Sequence, residues 1–145
     1  MARGASMAKT AIEEGYAPSE SEEFMNERQR EYFRRKLNAW KTELLRESQG
    51  TLAALQSENE NHPDLADRAS SETDRAIELR AHDRQRKLIA KIDAAVGRLG
   101  DGSYGYCEET GEPISLKRLE ARPIATLSLE AQERHERRER VYRDD

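Results

Sequence analysis

Apolar residues recur at helical spacing along two stretches of the chain, each about 30 residues long. The first stretch follows Asn26 and Gln29, which together resemble a capping box, and the second follows Pro63, which disfavours helix at the residue before it. The apolar positions are Phe33, Leu37, Trp40, Leu44, Leu52 and Leu55 in the first stretch, and Ala69, Ala76, Ile77, Ala81, Leu88, Ile92, Ala95 and Leu99 in the second. The pattern predicts helices over about 26–57 and 65–98, folded back on each other as an antiparallel coiled-coil hairpin.

The segments outside this hairpin have different patterns. Residues 1–24 lack sustained periodicity, which predicts a disordered or loosely docked leader, and the hairpin then spans 25–99 with its tip at 58–69. Residues 100–127 are rich in glycine and turn formers and predict a compact knuckle, and a final helix is expected over 128–145. The predicted fold class is all-α: a long hairpin, a small treble-clef-like knuckle and a C-terminal helix.

Composition and charge narrow the classes of function. The chain has 145 residues, 37% of them charged, and a net charge of −4. Four carboxylates and no lysine or arginine lie between residues 58 and 67, so the predicted tip is acidic between two basic helical arms. The overall acidity of the chain argues against broad duplex DNA binding, which needs a basic face, so we expect no direct sequence-specific DNA binding. No apolar run approaches the length of a membrane span or a signal peptide, so we expect no membrane association and a cytoplasmic location.

The knuckle has the outline of a zinc finger without most of its ligands. A structural zinc commonly needs two C-x-x-C pairs, whereas the first pair here is Cys107–Thr110 and the second is Ser128–Ala131. Because Cys107 is the only remaining ligand position, we expect no zinc. We expect an apolar cluster to hold the knuckle instead, formed by Tyr104, Tyr106, Ile114, Leu116, Leu119 and Ile124.

Cys107 is also the only cysteine of the chain, which excludes an internal disulfide and agrees with a reducing compartment. A redox sensor is one interpretation of such a residue. The neighbouring Glu108 and Glu109 are expected to raise the pKa of its thiol, so an inert remnant of a metal site is preferred. The histidines are scattered and no catalytic motif is present, so the sequence does not predict an enzyme.

Several motifs together resemble one known family, the DksA family of RNA polymerase-binding transcription factors, and its cysteine-poor branch. They lie between residues 24 and 143 and are Phe24-Met-Asn-Glu, Phe33-Arg34-Arg35, Ala39-Trp40, Asp64-Leu-Ala-Asp67-Arg-Ala69, Asp83-Arg84-Gln-Arg86-Lys87-Leu88-Ile89, Tyr104-Gly-Tyr-Cys and Arg118-Leu-Glu-Ala-Arg-Pro-Ile-Ala125. The resemblance implies a regulator that enters the secondary channel of RNA polymerase. It would act there with ppGpp on initiation at ribosomal RNA and stringent-response promoters.

The resemblance also implies roles for individual residues. Asp64, Asp67 and Ala69 correspond to the tip inside the channel, and Arg84 corresponds to a residue that supports polymerase contact. On spacing alone, the two aspartates also fit the first turn of a helix, where carboxylates satisfy free backbone amides. The implied ppGpp-contacting face is Leu88, Lys91, Arg122 and Gln132. A neutral amide at position 132 removes a charge-assisted bond, and Arg134 is a candidate to compensate.

Two other functions stay open at this point. A Gre-type transcript-cleavage factor uses tip acids to hold a magnesium ion, although the C-terminal half here lacks the globular domain of such factors. A coiled-coil adaptor without a polymerase role would make Asp67→Asn silent. The hairpin already pairs both apolar stripes within one chain, so a monomer is favoured.

Overall fold

The computed structural model describes the backbone of residues 11–58 and 65–144, and the side chains of residues 11–57 and 71–142. Within these ranges the regular elements are four helices: α1 (Glu27–Glu58), α2 (Leu65–Asp101), α3 (Leu116–Ala121) and α4 (Leu129–Asp144). The described residues contain no strand beyond an isolated bridge between Tyr106 and Pro113. The predicted all-α fold with a long helical hairpin is confirmed. None of the described helices combines the length and apolarity that crossing a membrane would require.

The start of α1 is set by the predicted capping pair. The backbone N–H of Gln29 donates to Asn26 Oδ1 at 2.9 Å, which satisfies one of the free amides of the first turn. The Gln29 side chain accepts from the backbone N–H of Met25 at 2.7 Å and donates to the Ser19 carbonyl at 3.2 Å. Gln29 is fully buried, so it joins the helix to the segment before it.

α2 ends later than the sequence predicts. It continues through Gly97 and Gly100 to Asp101, and Gly102 then takes a φ of 85°. The backbone N–H of Ser103 donates to the Arg98 carbonyl at 3.0 Å, the long bond of a Schellman cap. Gly97 and Gly100 each weaken the helix by about 1 kcal/mol relative to alanine, which does not end it, whereas the left-handed conformation of Gly102 does.

The chain divides into two compact units. The hairpin unit comprises the described residues of 38–94, and the finger unit comprises the described residues of 11–37 and 95–144. In the hairpin unit the two helices run antiparallel, as two contacts between them show: Lys41 Nζ lies 2.6 Å from Asp93 Oδ1, and Arg75 Nη1 donates to the Leu55 carbonyl at 3.2 Å.

The apolar stripes of the hairpin unit are only partly as predicted. Leu44, Leu55 and Ile92 are buried, but Leu52 is 44% exposed and Ile77 is 52% exposed. The predicted stripe of α2 is therefore wrong at Ile77, and at the exposed Ala76 beside it. The inward face of the helix passes instead through positions spaced alternately by three and four residues, as in a coiled coil.

The finger unit contains most of the large buried side chains. Phe33 from α1 packs against Tyr104, with ring centroids 5.6 Å apart, and α3 contributes the fully buried Leu119. Around them lie the further buried residues Leu37, Ala95, Leu99, Ile114, Ala125 and Ala131. Of the cluster expected to hold the knuckle, Tyr104, Ile114 and Leu119 are buried, Leu116 and Ile124 are half-buried, and Tyr106 is 38% exposed.

The described part of the leader makes side-chain contacts within this unit. The Tyr16 hydroxyl donates to Glu22 Oε1 at 2.8 Å, and the Arg28 guanidinium lies 4.3 Å from the centre of the Tyr16 ring. Met25 is buried with a φ of 53°, a left-handed conformation that is costly for a residue with a side chain. It packs against Gly105, where an added Cβ would lie 3.2 Å from Met25 Cγ.

Candidate functional site

The knuckle is a tight turn built around Cys107. The Cys107 N–H donates to the Glu112 carbonyl at 2.8 Å, and the Gly111 N–H donates back to the Cys107 carbonyl at 2.8 Å. Gly111 has a φ of 76°, which closes the turn without the steric penalty of a side chain. The Ile114 N–H donates to the Gly105 carbonyl at 2.7 Å, so the two arms of the turn are paired on both sides of the cysteine.

The environment of the Cys107 thiol differs from the sequence expectation. Burial raises the pKa of the thiol, but hydrogen bonds from the Thr110 hydroxyl and from the backbone N–H groups of Ser128, Thr110 and Glu109 have the larger opposite effect and lower the pKa to about 6. The expectation that the neighbouring glutamates raise this pKa was wrong. The Thr110 hydroxyl and the backbone amides, which the fold directs at the sulfur, outweigh the effect of burial.

The four positions that correspond to zinc ligands supply a mixed set of groups. Cys107 brings one thiol and Thr110 a hydroxyl that bonds it. The Ser128 hydroxyl accepts from the Ala131 N–H at 3.2 Å as the cap of α4, and Ala131 is a buried methyl group. Among the described residues, no group of three or more His, Cys, Asp or Glu side chains is arranged to hold a metal ion. This donor set does not fit a site with four thiolates.

α3 is anchored to α1 by one polar cluster. Glu120 Oε1 accepts from the Tyr32 hydroxyl and from Lys36 Nζ, the latter at 2.7 Å. Burial raises the pKa of the Tyr32 hydroxyl, and the bond to Glu120 raises it further, to about 12. Burial opposes ionisation of Glu120, yet the bonds from Lys36 and Tyr32 lower the pKa of that carboxyl. The cluster therefore favours a charged Glu120 and a neutral Tyr32 at neutral pH.

This cluster was missed by sequence reasoning. Tyr32 and Lys36 are one helical turn apart, but Glu120 follows Tyr32 by 88 positions, and nothing in the local pattern pairs them. A second missed group, Glu31, did have a sequence signal. Its buried carboxylate bonds Arg34 Nη2 and Arg35 Nε, both at 2.6 Å, at the i+3 and i+4 spacings typical of a helix.

The residues of the implied ppGpp-contacting face lie on three helices or their ends. In the hairpin unit, Leu88 is half-buried and Lys91 is exposed on α2. In the finger unit, Arg122 is exposed just after α3, with its backbone N–H bonded to the Arg118 carbonyl at 2.7 Å. Gln132 on α4 donates to Glu136 Oε1 at 3.1 Å. That these four residues form a ppGpp-binding site stays a prediction.

The comparison with known proteins decides the family. The DksA N-terminal domain model matches residues 29–99, and the prokaryotic dksA/traR C4-type zinc finger model matches residues 102–137. The RNA polymerase-binding transcription factor DksA of Caulobacter vibrioides is 75% identical over 130 residues, which cover 90% of this chain and 92% of that protein. This chain belongs to the DksA family.

Other members of the DksA family agree with this assignment. The Escherichia coli protein with the same name is 43% identical over 127 residues, which cover 88% of this chain and 84% of that protein. The solved structure of transcription factor DksA2 from Pseudomonas aeruginosa superposes with a TM-score of 0.77 at 46% identity, covering 81% of this chain and 90% of that one.

The match over residues 102–137 corrects the expectation about metal. We expected no zinc because Cys107 is the only remaining ligand position. The matched model is that of a C4-type zinc finger, so zinc binding is a feature of the family to which this knuckle belongs. Sequence reasoning weighed the substituted positions alone, and the match over the whole knuckle overturns that expectation.

The predicted tip residues of this DksA family member lie mostly outside the described structure. Asp64 is outside the described residues. Asp67 and Ala69 lie in the first two turns of α2, which begins at Leu65, and their side chains are outside the described set. Arg84 is described and exposed on α2. The roles of these residues in polymerase contact stay a prediction.

Proposed function

We propose that this chain is a non-enzymatic transcription factor that binds RNA polymerase and changes transcription initiation. The observation that carries the proposal is the 75% identity with the Caulobacter vibrioides protein, whose name states RNA polymerase binding and which this chain matches over 92% of its length. Identity at this level over both family models supports a common partner for the two proteins.

In this proposal the hairpin enters the secondary channel of the polymerase. Asp64, Asp67 and Ala69 form the inserted tip, and Arg84 contacts the polymerase from the exposed side of α2. Two carboxylates at the start of a helix bring negative charge near a catalytic centre that holds magnesium, where they alter the electrostatics of the open complex. The tip holds no metal of its own and cleaves no transcript.

The second part of the proposal is a response to ppGpp. Phosphate groups require cations, and Lys91 and Arg122 are both exposed. Gln132 adds no charge, and its amide is bonded to the Glu136 carboxylate. Arg134, the candidate to compensate, lies 3.7 Å from Glu109 Oε2. We therefore infer that ppGpp binds through fewer cations here, so that its effect is weaker than that of a face with a third cation. No step of the proposal requires zinc, and the protein acts in the cytoplasm as a monomer.

The test is multi-round transcription from a ribosomal RNA promoter with the cognate polymerase, with and without ppGpp. Wild type is expected to inhibit, ppGpp to deepen the inhibition, and Asp67→Asn to lose inhibition while still binding polymerase. Asp74→Asn is the matched control, because it makes the same charge change at an exposed position of the same helix. It should inhibit as wild type does.

Each other outcome has a distinct meaning. If wild type leaves transcription unchanged with and without ppGpp, the proposal is wrong. If wild type promotes RNA cleavage in stalled elongation complexes and Asp67→Asn abolishes it, the protein is a cleavage factor. If Asp67→Asn is as active as wild type, the tip assignment fails even if polymerase binding stands.

A further inference from the structure

The inward face of the hairpin unit changes character along its length. Most of the buried and half-buried positions of α2 in this unit follow coiled-coil spacing and form one side of the seam between the two helices. They are Ser71, Arg75, Glu78, His82, Gln85, Ile89 and Ile92, and the half-buried Ala81 and Leu88 lie beside them. The corresponding positions of α1 are Lys41, Leu44, Ser48, Thr51 and Leu55, with the half-buried Trp40 next to Lys41. The contacts Lys41–Asp93 and Arg75–Leu55 fix the register, and midway between them Ser48 lies at the level of Gln85.

The two ends of this seam differ in the polarity of their side chains. Between the Lys41–Asp93 contact and Ile89, the seam is apolar, with Leu44 and Ile92 buried. From residue 71 to residue 85, every seam position of α2 is polar or charged. The half-buried Ala81 flanks this polar stretch, and Leu55 is its buried apolar residue on α1.

The two large apolar side chains of α2 in the polar stretch are exposed. Ile77 is 52% exposed and Leu79 is 49% exposed, although both would stabilise the helix pair if they lay in the seam. The Gln85 side chain is half-buried, and its Oε1 atom is buried with no hydrogen-bond donor among the described residues. An unsatisfied buried carbonyl favours states in which water can reach it. Both features reduce the stability that pairing adds to this stretch.

We propose that residues 48–57 of α1 and 71–85 of α2 form a compliant segment that opens locally while residues 38–46 and 87–94 stay paired. Local stability follows the burial of apolar contacts, and this segment has few of them. Opening hydrates Gln85 and Ser48 and exposes little additional apolar surface. If the protein functions as proposed above, this segment allows the tip end of the hairpin to bend when it is confined in the polymerase channel.

The first measurement is hydrogen exchange with mass spectrometry on the full chain. Peptides within 48–57 and 71–85 are expected to exchange about tenfold faster or more than peptides within 38–46 and 87–94. Exchange at similar rates in both groups would overturn the proposal. Helix ends near a turn exchange faster in any hairpin. A pair of variants therefore tests whether fast exchange comes from the polar seam residues or only from closeness to the turn.

The decisive variant is Ser48→Leu/Gln85→Leu, which makes the middle of the seam apolar. It is expected to slow exchange across the segment by about tenfold or more, because two leucines replace polar groups between the helices. The matched control is Gln49→Leu/Arg86→Leu, which adds the same side chains at the neighbouring exposed positions. Equal slowing by both variants would mean that general helix propensity, and not the seam, sets the exchange rate. Circular dichroism and sedimentation check that each variant remains a folded monomer.

A transcription assay then tests whether local opening of the compliant segment contributes to inhibition of transcription. The stiffened variant should keep polymerase binding and lose a large part of its inhibition, whereas the control should retain both. If wild type does not inhibit transcription in this assay, the proposed function is wrong. The exchange result would still stand, because it is measured on the free protein. Full activity of a variant with slowed exchange would show that the segment opens without serving regulation, and would overturn that part of the inference.

Discussion

The finger unit and the hairpin unit share the same two long helices but are stabilised differently. In the finger unit, Phe33, Tyr104 and Leu119 are almost completely buried, and hydrogen bonds join residues far apart in sequence. Among the described side chains of the hairpin unit, the buried apolar residues are Leu44, Leu55 and Ile92. The helical backbone is the same in both units, so the stability of each helix segment depends on the side chains packed between it and its neighbours.

The largest loss in the free energy of unfolding is expected when a buried side chain is removed from the finger unit. Leu119→Ala should cost about 2–5 kcal/mol, because it deletes fully buried methyl groups and leaves a cavity. Leu52→Ala in the hairpin unit should cost less than about 1 kcal/mol, because that side chain is 44% exposed. Urea unfolding followed by tyrosine fluorescence and circular dichroism measures both. Similar costs for the two leucines would remove the contrast between the units.

A smaller effect is expected from the polar cluster that joins α3 to α1. Glu120→Gln should destabilise the finger unit by less than about 1 kcal/mol at pH 7, because the carboxylate is partly exposed and solvent screens its bonds. Tyr32→Phe is the matched variant: it removes the hydroxyl and leaves Lys36 paired with Glu120. If both variants unfold as wild type does, the anchoring of α3 depends on Leu119 alone.

The same cluster predicts how the stability of the finger unit changes with pH. The pKa of Glu120 is lowered on folding, so its contribution is present above the ordinary value of 4.5 and is lost as pH falls through the lower folded pKa. The pKa of Tyr32 is raised to about 12, so its contribution is present below the ordinary value of 10.0 and is lost as pH rises toward 12. The difference in unfolding free energy between wild type and Glu120→Gln should therefore shrink at the acid extreme, and the difference between wild type and Tyr32→Phe should shrink at the alkaline extreme. A constant difference at every pH would contradict the assignment.

The smallest effect is expected in the hairpin unit. Asp93→Asn breaks the ion pair with Lys41 and should cost about 0.2–1 kcal/mol at low salt, falling further at 1 M salt because both side chains are partly exposed. Asp83→Asn, which breaks a pair within α2 alone, is the control. A larger cost for Asp93 than for Leu119 would show that charge pairing, rather than apolar burial, holds the hairpin.

The sequence was most informative where one residue type has one structural use. Asn26 caps α1 as predicted. Gly102 shows the limit of the same reasoning, because four glycines follow one another between 97 and 105 and only the fold determines which of them ends α2. The family motifs identified the fold class and the family, because they are spread over most of the chain.

Periodicity was least informative where the helix is mostly polar. A stripe drawn through Ile77 assumes that apolar residues lie inward, but α2 places Glu78 there and leaves Ile77 exposed. The pKa of Cys107 could not be predicted either, since it depends on backbone amides brought from Ser128 by the fold. Contacts such as Tyr32–Glu120 leave no local pattern, and the zinc expectation failed because single positions were weighed without the whole knuckle.

The contact of Met25 with Gly105 bears on how fragments of this protein should be cut. The match to the DksA N-terminal domain model begins at residue 29, yet Met25 is buried and Phe24 lies against Tyr106 with ring centroids 5.4 Å apart. A fragment that starts at residue 29 would uncover the backbone of Gly105 and leave Gln29 without its bond to Met25. The boundary of the recognisable sequence is therefore not the boundary of the folded unit, which includes Phe24 and Met25.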